Sequence, residues 1–566
     1  MIVVLLLAVV GITVWVGRRG RDSVAPPAEI GAAGWAPGTR WSVVRPLARA
    51  ESRRLLRHPA FLVGVVLTPL MFSAAWSSET SWWRISPGIA LALVPLGWAT
   101  IIATNLLALQ PRRAGADELL AAAPAPQPVR SVALLLAAVP ASVVAAVLAG
   151  GWVLWLGRRP DLAGSPRPLE IAAGVLLVAG SVAVGVAVAR WLPHAGFGPL
   201  AALATGFLQA RFFEVGSWPW YRPEADPVRF LGFLAGPTSV TSPALEVRPS
   251  AWHLVYLAGL VAVMAGVALT RDGVPRRLGA FLALGAVVVV GAGWAQLRPP
   301  TDTQVAAMVG RLTDPAAHQS CSGDGPVRLC ADPENRFRLD AWRARVAAVR
   351  ALVPEPVAAR PLVVAQRVPT VAGDGNCSPQ PFLLGLHPRV AALVTADRVW
   401  PDDGAVHPGT DRFPCGGRDT GGFFTAVQVA AWSVGLPPSP HHLDVRCTAA
   451  GQARSAVALW LGAAATPGGG GTLRALVADE SSASGLLRFT GWNDPPMWGV
   501  VFATSDAELA LRLLALPRAS VAGELARAWE TVVDPGTTAA ELAGLLGVPA
   551  PARPGALAAP GSPTCA

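Results

Sequence analysis

Not one lysine occurs among the 566 residues; all 46 basic side chains other than histidine are arginine. That absence removes two kinds of chemistry. A Walker A phosphate loop needs its lysine and a Schiff-base enzyme needs a lysine amine, so this chain does not hydrolyse ATP by that route on its own. The arginine bias itself reads as codon composition rather than selection. Charge of either sign is also scarce, at 14% against about 25% in a typical soluble domain. With 52% hydrophobic residues, disorder as the main state is excluded, because disorder needs low hydrophobicity and high charge. A wholly soluble chain is disfavoured on the same numbers. Cysteine is missing from the first 320 residues.

The charge that is present divides unevenly. Residues 1–300 carry 25 Arg against 13 acidic residues, and residues 301–566 carry 21 against 23. In the first part the arginines lie between apolar runs, which points to membrane topology rather than nucleic-acid binding. A hydrocarbon core about 30 Å thick needs about 20 apolar residues. About eight segments approach that length: 1–16, 60–76, 88–109, 131–156, 171–189, 195–213, 252–270 and 279–296. The run 131–156 has no charge in 26 residues. The first run has no basic n-region and no small-residue cleavage site, and its positive cluster follows it, so it reads as a retained span.

If Met1 is outside and every segment crosses, the inner loops hold 16 Arg and the outer loops hold 8. That bias selects this orientation and predicts everything after Gln296 to be extracytoplasmic. All six cysteines (Cys321, Cys330, Cys377, Cys415, Cys447 and Cys565) fall in that part, as disulfides in an oxidising compartment would. Six cysteines allow 15 pairings. The short loop favours Cys321–Cys330, while Cys377–Cys415 and Cys447–Cys565 are one arrangement of the rest that no sequence feature selects. A metal site is disfavoured, since no CxxC pair occurs and the spacing is wide.

The predicted fold class is therefore an all-α polytopic membrane domain followed by a mixed, helix-rich α/β extracytoplasmic domain with disulfides. Its divisions are a first span at 1–17, a cytoplasmic basic segment at 18–59, the membrane domain at 60–298, the cysteine-containing domain at 299–548 and a Pro/Ala-rich tail at 549–566. In the cysteine-containing domain, helical periodicity marks 339–352, 423–434, 453–461, 506–516 and 521–531, and Thr538 can cap a last helix. Residues 361–370 and 390–395 read as strands. The PGGGG run from Pro467 to Gly471 reads as a flexible turn. The tail is expected to be loose unless Cys565 staples it.

Several segments carry possible function. In 41–59, Val44, Leu47, Leu55 and Leu56 form an apolar face, while Arg45, Arg49, Arg53 and Arg57, with Arg54, form a basic one. Such a helix suits the inner headgroup layer, and Pro59 ends it. The loop 110–130 carries Arg112, Arg113, Asp117 and Glu118 and is closed by prolines. Polar residues within the spans are few: Asn105, Gln209, and Arg211 with Glu214. They serve either a substrate pathway or helix packing. No HExxH or GxSxG motif occurs, and the adjacent His441 and His442 cannot grip one metal as i, i+4 ligands. Asp402, Asp403, His407 and Asp411 read as a solvated loop rather than a Ca²⁺ site.

The order of basic helix ending in RHPAF, span, short outer loop, span, inner loop RRAGADELLAAAPAPQPVRSVALLL and further spans resembles the membrane subunit of a type-2 ATP-binding-cassette (ABC) exporter of high-GC bacteria. The resemblance covers about residues 41–270. It implies that 41–58 is the elbow helix and that Arg112, Arg113, Asp117 and Glu118 belong to a coupling helix resting on a cytoplasmic ATPase. It further implies an outer re-entrant region at 214–250, with Trp218, Trp220 and Tyr221 at the interface. The implied partners are that ATPase subunit, which holds the ATP and Mg²⁺, a second permease subunit (identical or a sister) and the lipid bilayer, with no nucleic acid. The chain itself would hold no cofactor, catalyse no reaction and reside in the plasma membrane. An extra span at each end and a large outer domain depart from the family. The alternative is a non-transporting polytopic anchor that displays a binding domain.

Overall fold

The computed structural model describes residues 37–76, 81–116, 127–159, 162–214, 231–234, 248–272, 274–323, 325–366, 389, 405–406, 421–436, 447–478, 485, 487, 500–551 and 564–565. The first span expected at 1–16 lies outside these residues, as do Asp117, Glu118, Trp218, Trp220, Tyr221, Cys377, Cys415, His441, His442, the strand at 390–395 and the loop with Asp402, Asp403, His407 and Asp411.

Helix α1 (Pro37–Leu56) meets α2 (Pro59–Trp76) at Pro59. Proline cannot continue a helix but suits the start of one, where its missing N–H is no loss. The Ala60 N–H donates to His58 Nδ1 at 3.2 Å, which caps the new helix. The two segments Trp41–Leu56 and Pro59–Ala74 are bent by 58°. Val44 and Leu55 are buried, whereas Arg45, Arg49, Arg53, Arg54 and Arg57 are all exposed, so the two faces separate as their spacing requires.

Five helices among the described residues are long and apolar enough to cross a membrane. The first, Trp82–Arg113, joins α3 (Trp82–Ala92) to α4 (Val94–Arg113). The second, Gln127–Leu156, joins α5 (Gln127–Leu135) to α6 (Ala138–Leu156). The others are α7 (Pro168–Trp191), α9 (Ser250–Leu269) and α10 (Arg276–Gln296); the bent pair α1–α2 would make a sixth. Between α7 and α9, α8 (Phe197–Glu214) has a shorter apolar stretch, Phe197–Ala210.

These helices are apolar all round, so position is decided by size. On α6, Ala141, Ala145 and Ala149 are buried, while Val139, Val143, Val147 and Leu154 are more than half exposed. Small residues allow close helix approach where lipid and protein interior are equally apolar. At Gly174 of α7, a Cβ would lie 2.7 Å from Ala90 Cα, so the α3–α7 crossing tolerates only glycine. A hydrophobic core running from Leu55 to Ala292 holds the bundle together. Within the bundle, Phe72 stacks on Trp152 at 4.4 Å.

A second core runs from Leu329 to Cys565. It begins after α11 (Asp302–Thr313), whose Thr301 and Gln304 form a capping box. Strands β1 (Ser320–Ser322) and β2 (Val327–Ala331) are antiparallel, with Cys321 opposite Cys330 and bonded to it. β3 (Leu362–Ala365) adds in parallel to β2. Around this sheet, α12 (Leu339–Arg350), α13 (Gly421–Ser433) and α14 (Ala453–Ala464) supply Trp342, Phe423 and Trp460 to the core. β4 (Cys447–Thr448) pairs in parallel with β5 (Val500–Val501). Cys447 is bonded to Cys565, and Thr564 bridges Thr448. The two considered pairings whose cysteines are among the described residues, Cys321–Cys330 and Cys447–Cys565, are both present, and Cys565 is stapled.

Two local expectations differ from the structure. The glycine run is not a free turn: Gly468, at φ +75°, caps α15 (Gly469–Val477). A Cβ on Gly469 would lie 2.8 Å from Ala463 Cα, so close packing on α14 is what selects glycine there. The helix expected over 521–531 breaks at Ala528 into α17 (Arg518–Arg527) and α18 (Trp529–Val533), which lets Trp529 turn into the core. Between α15 and α17, α16 (Thr504–Leu514) lies in the same core, and α19 (Ala539–Leu545) follows Thr538, which caps it together with Glu541.

Candidate functional site

A polar cluster lies where α3, α7 and α9 begin. α7 opens on RPLE, with Arg167 as its cap, Pro168 at the first helical position and Glu170 in the first turn, where a negative charge is stabilised by the helix dipole. Glu170 is only 7% exposed. Arg248 Nη1 donates to its Oε2 at 3.1 Å and to the Trp83 carbonyl at 3.0 Å. Arg167 Nη1 is 3.6 Å from Oε1, and Ser250 Oγ donates to that oxygen at 3.2 Å. The guanidinium carbons of Arg167 and Arg248 lie 3.8 and 4.0 Å from the Trp83 ring centroid. Two cations thus share one carboxylate and one indole, so cation–π attraction offsets the excess positive charge. The Arg167 N–H donates to Ser86 Oγ at 3.1 Å, which closes the link from α7 back to α3.

What this cluster can do follows from its space. The cavity beside Glu170, Arg248 and His253 measures about 20 Å³, room for no more than a water. Its role is to lock three membrane-length helices together. Deeper in α9, His253 Nδ1 is 3.2 Å from Gln296 Oε1, which ties α9 to α10.

Of the intramembrane residues singled out from sequence, Gln209 has a clear task. Its Nε2 donates to the Leu234 carbonyl at 2.9 Å, and its Oε1 accepts the Leu234 N–H at 3.0 Å. Tyr256 donates to the Leu231 carbonyl at 3.0 Å. Residues 231–234 are irregular backbone against apolar helices, where unpaired peptide groups would be costly. Gln209 and Tyr256 satisfy three of them, the N–H and carbonyl of Leu234 and the carbonyl of Leu231.

Asn105 is different. It is fully buried on α4, and neither Oδ1 nor Nδ2 has a partner among the described residues. Gly198 of α8 approaches so closely that a Cβ there would lie 2.8 Å from Oδ1. An unsatisfied buried amide costs about 1–3 kcal/mol. Asn105→Leu, of nearly the same shape, is therefore expected to raise the melting temperature in detergent micelles. A lower melting temperature would show that the amide has a partner.

Arg211 and Glu214 lie in the last turn of α8, with side chains outside the described residues. Arg112 and Arg113 end α4, and the rest of the expected coupling loop, Asp117 and Glu118 included, is outside the described part. Among the described residues, Asn105 and Gln209 do not share a group. The structure instead groups Glu170, Arg248, Arg167 and Trp83. One signal could have found them: Glu170 directly precedes the apolar run 171–189, and a carboxylate at a span's edge needs a cation.

The C-terminal region has its own buried polar network. Arg454 donates from Nε to Gln452 Oε1 at 2.8 Å and from Nη2 to the Cys565 carbonyl at 2.6 Å. Asp506 is fully buried and accepts the N–H of Ala503 at 3.0 Å and of Gly451 at 3.0 Å. Burial pushes its carboxyl up to about 6, against the lowering effect of hydrogen bonds from Ala503, Ser455 and Gly451. The folded state therefore holds this proton more tightly than the unfolded one. The linked stability is complete below the ordinary value of 3.8 and is lost as pH rises through about 6. A loss on the order of 3 kcal/mol between pH 4 and pH 7 is expected, and Asp506→Asn should flatten it. Equal pH slopes for the two proteins in thermal denaturation would contradict this.

Beside the first cluster, the bundle meets the C-terminal region. The Trp82 N–H donates to the Ala163 carbonyl at 3.0 Å, and the Gly164 N–H donates to the Glu334 carbonyl at 3.4 Å. Between them is a cavity of about 370 Å³ lined by Ser81, Trp83, Gly164, Ser165, Arg167 and Glu334, among others. Burial raises the Glu334 carboxyl, opposed by Arg311 and Arg167.

No family model, no curated protein and no solved structure matches this chain.

Proposed function

We propose that this chain is the permease subunit of an ABC-type exporter, moving its substrate with energy from a separate cytoplasmic ATPase. The observation that carries the proposal is the bent pair α1–α2. A helix with an exposed arginine face and a buried apolar face turns by 58° at Pro59 into an apolar helix. An elbow in the headgroup layer that leads into the first core span has this form. In this reading the chain crosses the membrane eight times, with 16 Arg in the inner loops against 8 outside. The C-terminal region is then extracytoplasmic, which agrees with its disulfides. Arg112 and Arg113 end α4 on the inner side, and Asp117 and Glu118 follow in the loop that rests on the ATPase. A second permease subunit completes the pathway.

The test is co-purification from the native membrane. An ATPase should be retained by the chain and lost on replacing Asp117 and Glu118 with Arg. A complex that survives deletion of 112–123 would overturn the coupling role, and a chain purified with no ATPase supports the polytopic anchor instead.

A further inference from the structure

We infer that the 370 Å³ cavity between the bundle and the C-terminal region is a binding site for the headgroup of a zwitterionic phospholipid that carries both a phosphate and a primary ammonium. Its position comes first. The wall residues Ser81 and Trp83 flank the start of α3, and Arg167 directly precedes α7. Both helices belong to membrane-length spans, so the cavity sits where the bundle leaves the hydrocarbon and headgroups reside. This holds whichever side of the membrane that end faces, and the inference does not rest on the transport reading.

The wall has the chemistry of both charges. Arg167 keeps 37% of its side chain exposed although it contacts Glu170 and Trp83. A guanidinium presents parallel donors that match phosphate oxygens. The Ser81 and Ser165 hydroxyls stand in the same wall. Trp83, 3% exposed, lines the same wall and holds the Arg167 guanidinium against its ring. Glu334, from the C-terminal region, adds an acidic residue to the same lining. A simple anion would meet repulsion there, whereas an ammonium would be attracted. The arrangement therefore favours a headgroup that brings both signs over one that brings only negative charge. The size agrees: at about 30 Å³ of liquid volume per water the cavity holds roughly a dozen waters, ample for phosphoethanolamine. Because Gly164 of the bundle and Glu334 of the C-terminal region both line the cavity and are joined by a hydrogen bond, a bound headgroup would brace the C-terminal region against the bundle.

The full chain, purified in detergent and examined by native mass spectrometry with added lipid, provides the test. One phosphatidylethanolamine per chain should be retained at least tenfold better than phosphatidylglycerol. Arg167→Gln should reduce retention at least tenfold. Glu334→Gln, which leaves the phosphate contacts intact, should abolish the preference between the two lipids without abolishing binding. Ser165→Leu, which fills the cavity and spares both charges, should also displace the lipid, so a folding defect in the Arg167 variant would not decide the matter. Equal retention of both lipids by the unmodified chain would overturn the inference, as would an unchanged preference in Glu334→Gln. Displacement of bound lipid by millimolar inorganic phosphate would assign the site to free phosphate and equally overturn it.

Discussion

Replacing Arg248 with Met should be the most damaging single change in the bundle, lowering stability by about 3 kcal/mol or more. The Arg248 and Glu170 side chains are 2% and 6% exposed, so removing the guanidinium leaves a carboxylate with little water around it. Breaking one partner of a buried pair costs about 3–5 kcal/mol. The lower end applies here, because Arg167 and Ser250 still face the carboxylate. The Trp83 carbonyl also loses a donor. The double variant Arg248→Met with Glu170→Gln should be markedly more stable than Arg248→Met alone, since no buried carboxylate is left and the remaining charge, on Arg167, is 37% exposed to solvent. Chemical denaturation in mixed micelles measures all three; a double variant at least as unstable as the single one would show that the pair is not what holds these helix ends.

Losing the Cys447–Cys565 bond should have the second large effect. It closes a loop with a sequence separation of 118, against 9 for Cys321–Cys330. In the chain-entropy account such loops are worth about 5 and about 3 kcal/mol respectively. The longer bond also holds the backbone that Arg454 and Gln452 grip through the Cys565 carbonyl. Cys447→Ser with Cys565→Ser should therefore destabilise the C-terminal region by several kcal/mol and expose Arg454, which is 2% exposed when the region is intact. Limited proteolysis should then cut near residue 550 and spread inward. The equivalent Cys321/Cys330 double variant should lose roughly half as much, and equal losses would contradict the loop-length argument.

Local structure was legible where it depends on neighbours in sequence. Thr538 and Glu541 form the capping box that the spacing of a hydroxyl and a carboxylate predicts. Arg45, Arg49, Arg53 and Arg57 fall on the exposed face that their four-residue interval requires. Five of the apolar runs became helices of membrane length. What needed tertiary information was less visible. Ala528 carries no breaker signal, yet the helix stops there because Trp529 has a core to enter. The partner of Glu170 lies 78 residues away, and nothing local joins the two. In the sequence Gln209 is one polar residue in an apolar helix; its task, pairing the N–H and the carbonyl of Leu234, depends on a segment 25 residues further along. Pairing of Cys447 with Cys565 was one open arrangement among several until β4 and the last residues were seen side by side.

The alternation on α6 inverts the usual map of mutational tolerance. In a water-soluble helix the outward positions accept almost any polar residue and the inward ones demand bulk. Here Val139, Val143 and Val147 should accept any oily side chain, large or small, and reject charge. Ala141, Ala145 and Ala149 should reject every larger residue, greasy or not, because they are buried in the packed core of the bundle. Saturation mutagenesis along this one helix would therefore rank substitutions by volume on one side and by charge on the other.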